Sequence, residues 1–153
     1  MLFRDERPVR MASAPLISVV DDDDAVRKSL QRLLRSVGFA VKVFASAEDF
    51  LHSEHLCTTR CLILDVRMTG MSGLELQRQL VARHNEVPVI FITAHGDEAT
   101  RSRALSGGAL DFLHKPFSEE ALLDAIQAAL SWKQSGTKDK PSSERMMVTI
   151  SET

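Results

Sequence analysis

The stretch "LISVVDDDDAVRKSL", Leu16 to Leu30, decides the fold. Its first five residues form a short apolar run, rich in β-branched side chains, that reads as a buried strand. The run stops at four consecutive aspartates, Asp21 to Asp24. From about Asp24 to Val37 the apolar residues Val26, Leu30, Leu33, Leu34 and Val37 recur at helical spacing. A strand that hands over directly to an amphipathic helix is the first half of an α/β unit. Four like charges at that junction repel one another, so their placement at a strand end asks for a reason.

The same alternation continues outward. Gly38 ends the helix, and "FAVKVF" (Phe39 to Phe44) is strand-like. Ser46 is placed to cap a short helix, "AEDFLH", with acidic residues in its first turn. "CLILD" (Cys61 to Asp65) is an apolar strand, "MTGMSG" a loop and "LELQRQLVARH" a helix. Pro88 precedes the strand "VIFIT", which ends at Thr93. "GDEATRSRALSGG" predicts a weak polar helix, with little apolar face beyond Ala99 and Leu105. "ALDFLH" is a fifth strand, and Ser118 caps the amphipathic "EEALLDAIQAALSW". Five strands alternating with five helices imply an α/β domain: a doubly wound, five-stranded parallel sheet covered on both faces. The boundaries expected are a flexible N-terminal extension over 1–15, one folded domain over 16–132, and a polar tail or linker stub over 133–153.

Bulk properties narrow the function. The 153 residues carry 19 Lys and Arg against 21 Asp and Glu, so bulk charge predicts neither nucleic-acid nor membrane affinity. No apolar stretch reaches membrane-spanning length, and the N-terminus lacks the pattern of a signal peptide. The two cysteines, Cys57 and Cys61, are poorly spaced for zinc; Cys61 reads as a buried free thiol, and the expected compartment is the reduced cytoplasm.

Chemistry is expected at the carboxyl ends of the strands, where ligands bind in open α/β sheets. The first strand ends at Asp21 and Asp22, the third at Asp65 and the fourth at Thr93; Lys115 and Pro116 follow the fifth. Parallel strands would bring three carboxylates, a hydroxyl and an ammonium to one rim. Such carboxylates destabilise one another unless a cation joins them, and an all-oxygen set suits Mg2+. The natural partner anion is a phosphoryl group, with a hydrogen bond from Thr93 and a positive charge from Lys115. Asp65 could then be a pure metal ligand or a nucleophile on phosphorus. Asp23 and Asp24 are better placed to cap the following helix, and Asp24 is spaced to pair with Lys28. Each feature taken singly has a bland reading as a solvated cap, a turn or a strand end; the joint placement shifts the balance.

The segments "VVDDDDAVRKSL", "LILDVRMTGMSGLEL", "VIFITAHGD" and "GALDFLHKPFSEEAL" together resemble the receiver domain of two-component response regulators, of the FixJ-like group within the CheY-like fold. The resemblance runs from about Leu16 to Trp132. It implies that Asp65 is the phosphoacceptor, charged from a phosphohistidine on a sensor histidine kinase or phosphotransfer protein. It implies that Asp21, Asp22, Asp65 and the backbone carbonyl of Arg67 hold Mg2+. It further implies that Thr93 and Lys115 bind phosphoryl oxygens, with a cis bond before Pro116. Thr93 and Phe112 would form the switch, which alters the surface of the fourth helix, fifth strand and fifth helix, where partners or a second copy dock. Phe112 read without the resemblance is simply a core aromatic. Arg67 and His95 either tune phosphoryl lifetime, as the family implies, or are solvated loop residues. Trp132 reads first as a packing residue, with a contact role as the rarer one.

The sequence departs from the family in two places. Thr69 stands where a proline is usual, which predicts a less rigid loop after Asp65. The fourth helix, with Arg101, Arg103 and the Gly107–Gly108 pair, is expected to be marginal. Members of the group commonly carry a helix-turn-helix domain after the receiver; direct nucleic-acid binding is not expected of this chain. Two other classes compete with the phosphoacceptor switch. One is a Mg2+-dependent phosphatase of the aspartate-nucleophile superfamily, which needs an acid two residues after its nucleophile, where this chain has Arg67. The other is a degenerate receiver that only pairs with a partner, which the full set Asp21, Asp22, Asp65, Thr93 and Lys115 argues against. On the favoured reading the protein is no classical enzyme; its activity is limited to self-phosphorylation and self-dephosphorylation.

Overall fold

The computed structural model describes residues 14–135, with side chains through Trp132. The elements alternate strictly: β1 (Leu16–Val20), α1 (Asp24–Ser36), β2 (Ala40–Phe44), α2 (Ala47–Leu51), β3 (Cys61–Asp65), α3 (Gly73–Ala82), β4 (Val89–Thr93), α4 (Glu98–Ser106), β5 (Asp111–His114) and α5 (Glu119–Ser135). The five strands form one parallel sheet in the order β2-β1-β3-β4-β5. The doubly wound architecture expected from the sequence is therefore present.

Side-chain alternation in the central strands explains why both faces are covered. In β3, Leu62 and Leu64 point into one core, with Val89 and Phe91 of β4 and with Phe50, Leu76 and Leu80 from α2 and α3. Cys61 and Ile63 point into the other, with Ile90 and Ile92 and with Leu30, Leu34, Leu122 and Ile126 from α1 and α5. Every residue of β3 and β4 is buried, so these strands read as continuous apolar runs. Each fully buried Phe, Leu or Ile contributes roughly 1.5–3 kcal/mol relative to leaving it exposed.

The caps expected at Asp23, Ser46 and Ser118 are present, and the structure adds caps at Ser72 and Asp97. Asp23 accepts the Ala25 amide, Ser46 the Asp49 amide and Asp97 the Thr100 amide. Ser72 and Glu75 close a reciprocal capping box on α3, and Ser118 accepts the Ala121 amide ahead of α5. Asp24 pairs with Lys28 at 3.2 Å and with Arg27 at 3.0 Å.

Several boundaries differ from the sequence reading, each for a local reason. β2 starts at Ala40 because the Phe39 amide still donates to Leu34 of the preceding helix. β5 starts at Asp111 because the Ala109 amide still closes α4 on Ala104. Val37, counted with the apolar face of α1, is its C-cap and is 48% exposed. In α4 the buried residue is Ala104; Ala99 is exposed. Trp132 is buried, as its packing role requires. Helix α5 continues to Ser135, so 133–135 of the expected tail are helical. The remainder of that tail and nearly all of the expected N-terminal extension lie outside the described residues.

Candidate functional site

Strand register assembles the site. Val20 pairs with Leu64, Asp65 with Ile92 and Thr93 with His114. One step past the last β1–β3 pair, Asp21 comes beside Asp65, and one step past β5 comes Lys115. Neighbouring strands lie about 4.8 Å apart, so residues at adjacent strand ends meet without any special bend. The chain reverses its winding between β1 and β3, which opens a crevice above their carboxyl ends.

Asp21, Asp22 and Asp65 meet there: one carboxylate oxygen from each lies within 4.8 Å of the others. Each has a different surrounding. Asp21 is fully buried, and its Oδ1 accepts the Asp23 amide at 2.9 Å. Its Oδ2 accepts the Lys115 ammonium at 2.9 Å. Asp22 is exposed and accepts the Thr69 amide at 3.3 Å from the loop after β3. Asp65 is buried as a residue but its side chain keeps 10% of its exposure, so the carboxylate is reachable. Lys115 Nζ stands 3.8 Å from Asp65 Oδ2.

The electrostatics single out Asp65. Burial, and then the neighbouring Asp21 charge, push its carboxyl up to about 6. Lys115 and the amides of Arg67 and Val66 oppose this and only partly offset it. An ionised Asp65 is thus held at a cost that a cation at the cluster would relieve. The donor set is hard oxygen only, which fits Mg2+ better than a softer ion.

The other expected residues lie around this cluster. Thr93 is buried at the end of β4; its Oγ1 accepts the His95 amide at 3.1 Å, and its carbonyl accepts the Lys115 amide at 2.7 Å. The Lys115–Pro116 peptide bond is cis. Phe112 is buried on β5 with its ring 6.2 Å from that of Phe91. Arg67 and His95 are exposed in their loops, and the Arg67 amide bonds the Asp65 carboxylate.

Some residues that shape the site carry no mark in the sequence reading. Gly73 opens α3 directly under the end of β3: a Cβ there would sit 2.2 Å from the Asp65 carbonyl oxygen. Gly96 lies against both switch candidates: a Cβ there would be 2.6 Å from the Phe112 ring and 2.7 Å from the Thr93 methyl. Glu48 reaches from α2 to the loop after β3, where its Oε2 accepts the Met71 amide at 3.0 Å. The glycines stood in the quoted motifs, but only the tertiary approach gives them a reason.

Comparison with known proteins agrees with this geometry. The family model of the response regulator receiver domain matches residues 17–127. The chain belongs to this family. The receiver is 50% identical over 117 residues to the response regulator protein TodT of Pseudomonas putida, an alignment covering 76% of this chain and 52% of TodT. Among solved structures it is similar to the response regulator StyR, with TM-score 0.74 and 45% identity over 91% of this chain and 70% of StyR. It also matches the N-terminal part of FixJ, with TM-score 0.70 and 40% identity over 78% of this chain and 95% of that structure. The chain spans about half the length of the curated relatives it matches. Membership makes this a domain of phosphorelay signal transduction, with an acidic cluster typical of phospho-aspartate and Mg2+ signalling. Identity as a receiver domain implies self-phosphorylation and self-dephosphorylation rather than classical catalysis. Among the described residues no helix is long and apolar enough to cross a membrane.

Proposed function

We propose that Asp65 is the phosphoacceptor of this receiver, and that the donor is a phosphohistidine on a sensor histidine kinase or phosphotransfer protein. The observation that carries this reading is the close approach of the Asp21, Asp22 and Asp65 carboxylates beside Lys115 at the sheet's carboxyl edge. A carboxylate oxygen of Asp65 attacks phosphorus, the bond from phosphorus to the donor nitrogen breaks, and its electron pair stays on the imidazole, which takes up a proton. Asp21, Asp22, Asp65 and the carbonyl of Arg67 would hold Mg2+, which when bound neutralises the carboxylates and the phosphoryl oxygens. Thr93 donates its hydroxyl to one phosphoryl oxygen and Lys115 its ammonium to another.

Phosphorylation then acts on Thr93 and Phe112, both of which lie so close to Gly96 that a methyl there would strike them. A movement of Thr93 toward the phosphoryl group changes the space left for the ring. The output is a changed surface of α4, β5 and α5, used to control a partner or to form a homodimer. We place the domain over 16–132 and assign it to the cytoplasm, without membrane or direct nucleic-acid contacts of its own.

The test is incubation with Mg2+ and acetyl phosphate or phosphoramidate, followed by intact mass. One added phosphoryl group is expected on the native chain and none on Asp65→Ala. Equal modification of the variant overturns the assignment of Asp65.

A further inference from the structure

The loop from Val66 to Ser72 links β3 to α3 and carries Arg67, whose carbonyl completes the metal ligand set proposed above. Its usual proline is absent: residue 69 is threonine. The loop nevertheless has fixed points. At its far end the Gly73 amide donates to the Val66 carbonyl at 2.9 Å. In its middle two amides are taken by carboxylates from other elements: Thr69 by Asp22 at 3.3 Å and Met71 by Glu48 at 3.0 Å.

These two anchors are not equivalent. Asp22 belongs to the acidic cluster, so any cation it holds competes for the same carboxylate. Glu48 lies outside that cluster. It sits in the first turn of α2, where the partial positive charge of the helix end favours a carboxylate. Gly70 makes room for it: a Cβ at Gly70 would lie 3.0 Å from Glu48 Oε2 and 3.4 Å from Oε1. Gly70 also has φ +83°, a left-handed turn that aims the next amide, that of Met71, at the carboxylate. Met68 and Met71 on either side pack against the core beneath.

We propose that Glu48 is a positioning residue for the metal-binding loop, holding it in place through the Met71 amide while Asp22 serves the cation. The inference rests on the reading of Asp21, Asp22, Asp65 and Arg67 as the Mg2+ site. Glu48 acts through the loop, since it is not among the clustered carboxylates. It stands in for the stiffness that a proline at 69 would give, through a contact 23 residues away in sequence.

Titration calorimetry with MgCl2 tests it, using wild type, Glu48→Ala, Glu48→Gln and Asp22→Ala, each checked for fold by circular dichroism and melting. Partners that orient metal ligands typically change affinity by about 10- to 100-fold when removed. Glu48→Ala is expected to weaken Mg2+ binding by about tenfold, at the low end because it acts through the loop. Glu48→Gln keeps an acceptor oxygen at the same reach and is expected to stay within about threefold of wild type. Amide hydrogen exchange adds a readout independent of the metal: without Mg2+, the Met71 amide should exchange faster in Glu48→Ala and stay protected in Glu48→Gln. Wild-type affinity in Glu48→Ala overturns the proposal. So does equal weakening in Glu48→Ala and Glu48→Gln, which would mean the charge alone attracts the cation. If wild type and Asp22→Ala bind Mg2+ equally poorly, the metal-site reading fails instead, and the exchange result still decides whether Glu48 holds the loop. Should Glu48→Ala not fold, Glu48→Asp decides, its carboxylate one methylene short of Met71: weakened binding supports the proposal and wild-type affinity overturns it.

Discussion

Replacing Asp65, the phosphoacceptor proposed above, should make the metal-free protein more stable, not less. The Asp65 carboxyl is pushed up to about 6 from an ordinary 3.8, by burial first and by Asp21 second. A difference of about two units corresponds to roughly 3 kcal/mol by which the ionised form is disfavoured in the folded state. The folded state binds this proton more tightly than the unfolded chain does. The group's contribution to stability is therefore fully present below the unfolded value and is lost as pH rises through about 6. Asp65→Asn keeps the shape and removes the charge. Near neutral pH without divalent cations the variant should be more stable by about 1–3 kcal/mol, the Lys115 attraction being already included in the raised value and the lower figure allowing for solvent screening at the open rim. For a domain of this size that is on the order of 10 °C in melting temperature at the upper end. In acid, below the ordinary carboxyl value, the two proteins should differ little from this cause. Urea unfolding in chelator across that pH range measures the difference directly. Saturating Mg2+ should then raise the wild type more than the variant, because the ion compensates a charge that the variant lacks. The reasoning is refuted if Asp65→Asn gains nothing at neutral pH, or if its gain is the same on both sides of the titration.

Three further outcomes follow from other contacts. Gly73→Ala places a methyl 2.2 Å from the Asp65 carbonyl oxygen and 3.0 Å from the Val66 Cα, backbone atoms that cannot yield; thermal melting should show a loss of at least about 2 kcal/mol, and Mg2+ affinity should fall with it. Gly96→Ala should cost about 1–3 kcal/mol through the Phe112 ring and the Thr93 methyl, and less in a Phe112→Ala background; additivity within about 0.5 kcal/mol in a double-mutant cycle would disprove the contact. Burial pushes the Cys61 thiol up to about 12 while Cys57 is exposed, so an aromatic disulfide reagent near neutral pH should titrate one fast thiol, lost in Cys57→Ser, and both thiols only in urea.

The fold was legible because burial on both faces of β3 and β4 writes continuous apolar runs, and because Asp23, Ser46 and Ser118 mark helix starts. The central residues of the site were legible for a related reason: parallel strands put their last residues on one edge, so Asp21, Asp22, Asp65 and Lys115 could be grouped from strand ends alone. What stayed hidden depends on rotation and approach. Helix α4 has almost no amphipathic signal, so the sequence could not say which side faces inward, and Ala99 was counted where Ala104 is buried. That side is set from outside the helix: Gln77 Nε2 on α3 donates to the Ala104 carbonyl at 2.8 Å, and the bare Gly107 leaves room for its amide. Glu48, Gly73 and Gly96 likewise act through contacts that no local period encodes.

The four opening aspartates divide their work by what each can find to offset its charge. Asp24 is drawn to Lys28 and Arg27, and Asp23 to the first amides of α1. Asp21 is buried but receives Lys115 and the Asp23 amide, and Asp22 faces solvent with the Thr69 amide. Asp65, from the other strand, is left with the poorest compensation: its ammonium partner is nearer to Asp21, at 2.9 Å against 3.8 Å. A carboxylate whose charge is disfavoured gains most from a nearby cation. The surrounding residues satisfy the other four acids first and leave Asp65 as the one whose modification changes the balance of the whole rim.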